Sequence, residues 1–264
     1  MEMNIKRTNK YAVCVAVSLA AMTPGTASAA VVTLTGEDLG VIGTNFPNAS
    51  TARNSFMASL SASARGNVET FERFPLGSIS GPLPPPLALT ATGSTGPITG
   101  QVRTAVLQDQ VSNANGGGRF ATSGSQYYAA TQPFSLTFDQ PISAIGFFLT
   151  GLGDVGFSRL NLSLAGDLTT TIALPYTLDN AQDDAKRVFF YGLTSSQTFK
   201  TATFSFPGLA VDAYGLDDLI IADSGQINAA SATTVPEPPL RWLFVPLFAA
   251  IVLFRIRGVA RLSF

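Results

Sequence analysis

Three stretches of this chain alternate apolar and polar residues with a period of two, and that pattern limits the fold more than any other feature. In PFSLTFD, Phe134, Leu136 and Phe138 share one side while Ser135, Thr137 and Asp139 share the other. SRLNLSL sets Leu160, Leu162 and Leu164 against Arg159, Asn161 and Ser163, and TATFSF sets Ala202, Phe204 and Phe206 against Thr201, Thr203 and Ser205. Side chains alternate in this way along a β-strand, so each stretch predicts a strand with one buried face. ISAIGFFLT is apolar on both faces, as expected of a central strand covered on both sides. Further strands are predicted at 31–35, 68–74, 87–92, 99–107, 169–173, 188–193 and 216–222, separated by Gly, Pro, Asn and Asp turn signals. Only 50–62, with Phe56, Met57 and Leu60 as an apolar stripe, reads as a short helix. About ten short strands at this spacing predict an all-β fold, an antiparallel β-sandwich of jelly-roll-like type. No repeat at a fixed period is visible, which argues against a solenoid or propeller.

Composition removes much chemistry. The chain has no histidine, and its one cysteine, Cys14, lies near the N-terminus. Residues 30–234 therefore have no disulfides, no Cys/His zinc site, no Ser-His-Asp or Cys-His machinery and no haem histidine. Packing, or metal held through oxygen, must supply stability. Fifteen acidic against nine basic residues give this stretch a charge of −6, hidden by the chain's total of −1. A basic footprint for nucleic acid is absent.

The two ends read as addresses. Lys6, Arg7 and Lys10 precede an apolar run from Tyr11 to Met22, and Ala27-Ser28-Ala29 places small residues where a signal peptidase reads. This predicts a signal peptide over 1–29, cut between Ala29 and Ala30. Near the other end, Trp242 to Phe254 are all apolar, thirteen residues flanked by Arg241, Arg255, Arg257 and Arg261. As a helix they rise about 20 Å, short of a hydrocarbon core of about 30 Å. Flanking arginines that reach the interfaces, and the excess of positive charge beyond the run, favour a membrane helix over a buried one. The segment 229–239 is a polar, then Pro-rich linker.

Val235-Pro236-Glu237-Pro238, followed by an apolar helix and a tail bearing Arg255 and Arg257, resembles the PEP-CTERM sorting signal of exported proteins in Gram-negative bacteria. The resemblance covers about thirty residues, 235–264. It implies that exosortase, an integral-membrane enzyme, recognises this tail and releases or transfers the protein to the cell surface. The implied organisation is a signal peptide at 1–29, an ectodomain at 30–228, a linker at 229–239, and a transmembrane sorting helix with its basic tail at 240–264. The implied route runs through an inner-membrane-anchored intermediate to the cell surface or extracellular matrix.

Within the body, Gly151-Leu152-Gly153-Asp154-Val155-Gly156 matches the dinucleotide fingerprint, but a strand pattern follows it. Without a helix N-terminus no pyrophosphate can be held, and a glycine-rich turn is the simpler reading. Carboxylates are the better lead. Glu69 and Glu72 flank Phe71 in VETFERF, and Asp217 and Asp218 are adjacent in YGLDDLII. Neighbours on a strand point to opposite faces, so both aspartates reach one ligand only across a bulge. Hard oxygen ligands point to calcium. YGLDDLII also resembles the closing strand of lectin-like jelly rolls, some of which hold calcium between their first and last strands. Glu69, Glu72, Asp217 and Asp218 are thus the candidate calcium ligands, with edge-protecting carboxylates as the alternative. Asp179, Asn180, Asp183 and Asp184 form a second acidic cluster whose spacing misses an EF-hand loop. Asn115-Gly116-Gly117-Gly118 reads as a hairpin tip, and Tyr127, Tyr128 and Tyr214 as either sugar-stacking or core aromatics.

Taken together, these features predict a non-enzymatic exported surface protein associated with exopolysaccharide through a lectin-like β-sandwich. No cofactor other than calcium is expected; signal peptidase, exosortase, the membrane and exopolysaccharide are the expected partners. The alternatives are an extracytoplasmic glycosidase or polysaccharide lyase using two carboxyls about 5–5.5 Å or 6.5–9.5 Å apart, and a purely structural or adhesive module.

Overall fold

Two long strands form the spine of the protein. In a computed structural model they are β7 (Phe134–Thr150) and β10 (Val188–Ser205), 17 and 18 residues long and paired antiparallel. The structure describes residues 30–41, 44–77, 87–104, 109–130, 133–152, 158–178, 187–207 and 213–228. PFSLTFD and ISAIGFFLT, read from sequence as two strands, run together through Pro141. The register between β7 and β10 shifts between Thr194 and Phe199 and again before Thr201, and Pro141 falls in that irregular stretch. No ladder bond is demanded of its missing N–H there, so the proline interrupts nothing.

The irregular stretch divides the sheet into two layers. The first half of β7 and the second half of β10 pair with β4 (Pro97–Thr104) and β8 (Asn161–Gly166). Beyond these lie β3 (Leu87–Thr92) and β9 (Thr170–Ala173). The other halves carry β1 (Val31–Asp38) against β10 and β11 (Tyr214–Ala222) against β7. Next to β11 are β6 (Tyr127–Ala130), then β5 (Gln110–Ser112), while β2 (Val68–Glu69) pairs with Leu219 and Ile220. Among the described residues every one of these pairings is antiparallel. The layers face each other, because Phe134 and Phe204 of the first meet Tyr128, Tyr214 and Phe147 of the second. These rings, with Leu136, Leu162, Leu164 and Leu216, build the main core. The outer face of the first layer keeps the alternation read from sequence, with Ser135, Thr137, Thr201 and Thr203 half-buried or exposed.

The outer face of the second layer is apolar and is covered by helix α1 (Pro47–Ala58). It starts three residues before the predicted helix, with Pro47 in the first turn, where its missing N–H costs nothing. The carboxylate of Asp38, at the end of β1, accepts from the N–H groups of Asn48 (3.2 Å) and Ala49 (2.8 Å) and so ties the helix start to the sheet. Phe56 is fully buried over the cross-strand pair Gly146 and Gly192. A Cβ at either glycine would stand 2.5 or 2.6 Å from its ring, so the paired glycines form the dimple that seats it. The short helix α2 (Ala62–Arg65) follows, capped by the Ser61 side chain. Apolar packing on both faces explains why residues 142–150 are buried without alternation.

Among the described residues no helix is long and apolar enough to cross a membrane. The signal segment through Ala29 and the sorting motif with its arginines lie outside the described residues, as do Gly153–Gly156 and the Asp179–Asp184 cluster.

Candidate functional site

Adjacent aspartates on a regular strand would diverge, yet Asp217 and Asp218 serve one segment. The register of β11 against β7 breaks between Asp217 and Ile220, and Asp218 adopts φ +47°, in the left-handed region. This bulge turns both carboxylates toward Thr122 and Ser123. Asp217 Oδ2 accepts from Thr122 N (2.7 Å), Thr122 Oγ1 (2.9 Å) and Ser123 N (3.1 Å), while Oδ1 accepts from Asp218 N (2.8 Å). Asp218 Oδ1 accepts from Ser123 Oγ at 2.5 Å, and its Oδ2 lies 3.5 Å from Arg53 Nε on α1. Asp217 is 1% exposed and Asp218 4%. Burial, reinforced by the charge of Asp218, raises the Asp217 pKa to about 7 despite the bonds it accepts.

Glu72 grips the same segment a few residues on. Its Oε1 accepts from Ser125 N (2.6 Å) and Gln126 N (2.5 Å), and Oε2 from Ser125 Oγ (3.0 Å). Slight burial works against its ionisation, but these three bonds outweigh it and hold the carboxyl below its usual range. Glu69 faces elsewhere. Its Oε2 binds Arg73 at 2.7 Å and its Oε1 accepts from Phe71 N at 2.9 Å. Phe71 has φ +62°, so the expected strand over 68–74 ends after Glu69 in a turn. That turn sends Glu72 toward Ser125 while Phe71 packs into the core.

The four candidate calcium ligands are therefore not brought together as a ligand set. Among the described residues no group of three or more His, Cys, Asp or Glu could hold a metal. The donor chemistry agrees: N–H and O–H groups converge on Asp217 and Glu72, and a dication there would meet the positive ends of their dipoles. These residues do not fit calcium. Nor does the Asp217–Asp218 pair line a cleft, because residues 122–123 lie against both carboxylates.

What the carboxylates hold is the connection between β5 and β6, residues 113–126. This stretch carries one isolated bridge, Gly116 with Arg119, turning through Gly117 (φ +55°) and Gly118 (φ +71°). Thr150 Oγ1, on β7, accepts from Phe120 N (3.3 Å) and donates to Phe120 O (3.1 Å). Tyr127 donates from its hydroxyl to Ala114 O at 2.6 Å. A polar groove runs along the connection and the edge strand β5, lined by Gln110, Ser112, Asn115 and Arg119, with Tyr127 and Ala129 among its walls. Sequence reading saw the Asn115–Gly118 tip but missed the groove, because scattered amides form no motif. Of the two readings of the tyrosines the core one holds: Tyr127, Tyr128 and Tyr214 are at most 2% exposed and belong to the packed interior.

No protein-family model matches this chain, and no curated protein matches it. The solved structure of TmCBM61 in complex with β-1,4-galactotriose is similar over 46% of this chain and 86% of that chain, at 15% identity and a TM-score of 0.27. A likeness at that level carries no argument about site or ligand.

Proposed function

We propose that this protein is an exported cell-envelope component that associates with exopolysaccharide through a lectin-like, jelly-roll-like β-sandwich, by binding and not by catalysis. The observation that carries the reading is the pinned connection at 113–126. Long connections without secondary structure are uncommon in compact domains, and where they are held rigidly on a scaffold they commonly bear the binding surface. Here side chains from β11, β7 and the turn after β2 fix the connection, and its groove offers amide, hydroxyl and guanidinium groups. Such groups match the hydroxyls of a sugar chain, and a loop ordered beforehand loses little entropy on binding.

Delivery rests on sequence. The Ala27-Ser28-Ala29 site would be cut by signal peptidase to leave Ala30, immediately before β1, as the new N-terminus. Val235-Pro236-Glu237-Pro238, the apolar run and Arg255 and Arg257 would then present the membrane-anchored intermediate to exosortase. The test is retention of the purified full-length protein, in mild detergent, on exopolysaccharide extracted from the producing organism. Retention that is lost in a Gln110→Ala/Asn115→Ala double variant is the expected result. Absence of retention, or retention untouched by the double variant, would overturn the groove as the polysaccharide site.

A further inference from the structure

We propose that the groove selects a carboxylated sugar, with Arg119 as the group that meets the carboxylate. This inference rests on the polysaccharide reading above and narrows it. Arg119 is the charged side chain among the groove's described lining residues; the others of these are neutral. It is half-buried, and among the described residues no carboxylate pairs with it, whereas Arg53 has Asp218 and Arg73 has Glu69. Arg159, also half-buried without an acid partner among the described residues, donates from its outer nitrogen to Leu174 O and Tyr176 O. Arg119 instead bonds through Nε to Gly116 O and keeps its outer N–H groups for a ligand anion.

Its position is built. Arg119 Nε donates to Gly116 O at 3.3 Å, which holds the inner edge of the guanidinium against the hairpin. The aliphatic stem lies against Gly151, where a Cβ would stand 2.6 Å from Arg119 Cγ. Gly151 also has φ +71°, so a side chain there is excluded twice. The glycine that opens the false dinucleotide fingerprint thus serves to seat this arginine. A planar guanidinium fork matches the two oxygens of a carboxylate, and is less strongly hydrated than an ammonium. Gln110, Ser112 and Asn115 supply donors and acceptors of both kinds beside it, as ring hydroxyls require. A uronic acid residue presents this combination of one carboxylate and several hydroxyls. Because the body as a whole repels polyanions, binding of this kind must come from the local contact and not from a diffuse basic surface.

The experiment compares the full-length protein with Arg119→Gln and Arg119→Lys on immobilised alginate (carboxylated), dextran sulfate and dextran (neutral), with far-UV circular dichroism confirming that each variant folds. Retention on alginate but not dextran is expected, weakened about 30-fold by Arg119→Gln. Arg119→Lys, which keeps the charge and loses the fork, should fall between. Equal retention on dextran and alginate, unaffected by Arg119→Gln, would overturn this inference while leaving the polysaccharide reading intact. Stronger retention on dextran sulfate than on alginate would replace the carboxylate with a sulfate and overturn the proposed sugar class. Retention on none of the three, together with none on the native exopolysaccharide, would overturn both.

Discussion

Asp217 and Glu72 hold the two ends of one short segment with nearly the same set of bonds, yet their acidities move in opposite directions. Each accepts two backbone N–H groups and one hydroxyl from residues 122–126. Glu72 sits in solvent, so the bonds prevail and its pKa falls. Asp217 is buried beside another carboxylate, so desolvation and repulsion prevail and its pKa rises to about 7. Closely similar hydrogen bonding therefore does not fix the charge state of a carboxylate latch; access to water and a neighbouring charge do.

The largest test of that contrast is the pH dependence of stability. Asp217 in the folded protein keeps a proton that the unfolded chain has lost between its ordinary value of 3.8 and about 7. The folded state binds more protons in that window, so stability falls as pH rises through it and levels off above. A shift of this size corresponds to about 4 kcal/mol. Thermal or denaturant unfolding of the full-length protein should show the decline, and Asp217→Asn, which cannot titrate, should flatten it. Glu72 has the opposite sign: its small contribution is present above 4.5 and is lost as pH falls through its lowered value.

Smaller effects follow from the segment between the two carboxylates. Gly124 has φ +61°, and a Cβ there would lie 2.5 Å from Glu72 Oε1, so Gly124→Ala should cost about 1–2 kcal/mol and loosen the Glu72 end first. Ser123→Ala removes the hydroxyl bonded to Asp218 and should cost about 1–1.5 kcal/mol in chemical denaturation. Glu72→Ala, at the solvated end, should cost less than about 1 kcal/mol. If Glu72→Ala proved more damaging than Ser123→Ala, the assignment of a strong buried end and a weak exposed end would be reversed.

How much of this was legible in the sequence depended on the range of the interaction. Period-two alternation located the strands whose one face meets the core, and 87–92 matches β3 residue for residue. Continuity was not legible: the predicted strands stop on either side of Pro141 and again between 193 and 201, yet both gaps fall where two long strands pass from one layer to the other. The short strands β5 and β6 have too few residues to show a period, and were missed. The aspartate pair was found as a chemical possibility, including its need for a bulge. Its partner was out of reach, because Thr122 and Ser123 lie 94 or 95 residues away along the chain. The tyrosines were left between two readings, sugar-stacking or core, because an aromatic at a strand end looks the same in sequence either way; burial decides for the core.

The central claim is that a connection fixed before binding presents a sugar-binding groove. Amide hydrogen exchange of the full-length protein, with and without exopolysaccharide, tests both halves at once. The account predicts that the N–H groups of Thr122, Ser123, Ser125 and Gln126 exchange slowly even without ligand, and that added polysaccharide protects residues 110–119. Rapid exchange at those four positions, or protection appearing on another surface such as β1 or β9, would contradict it.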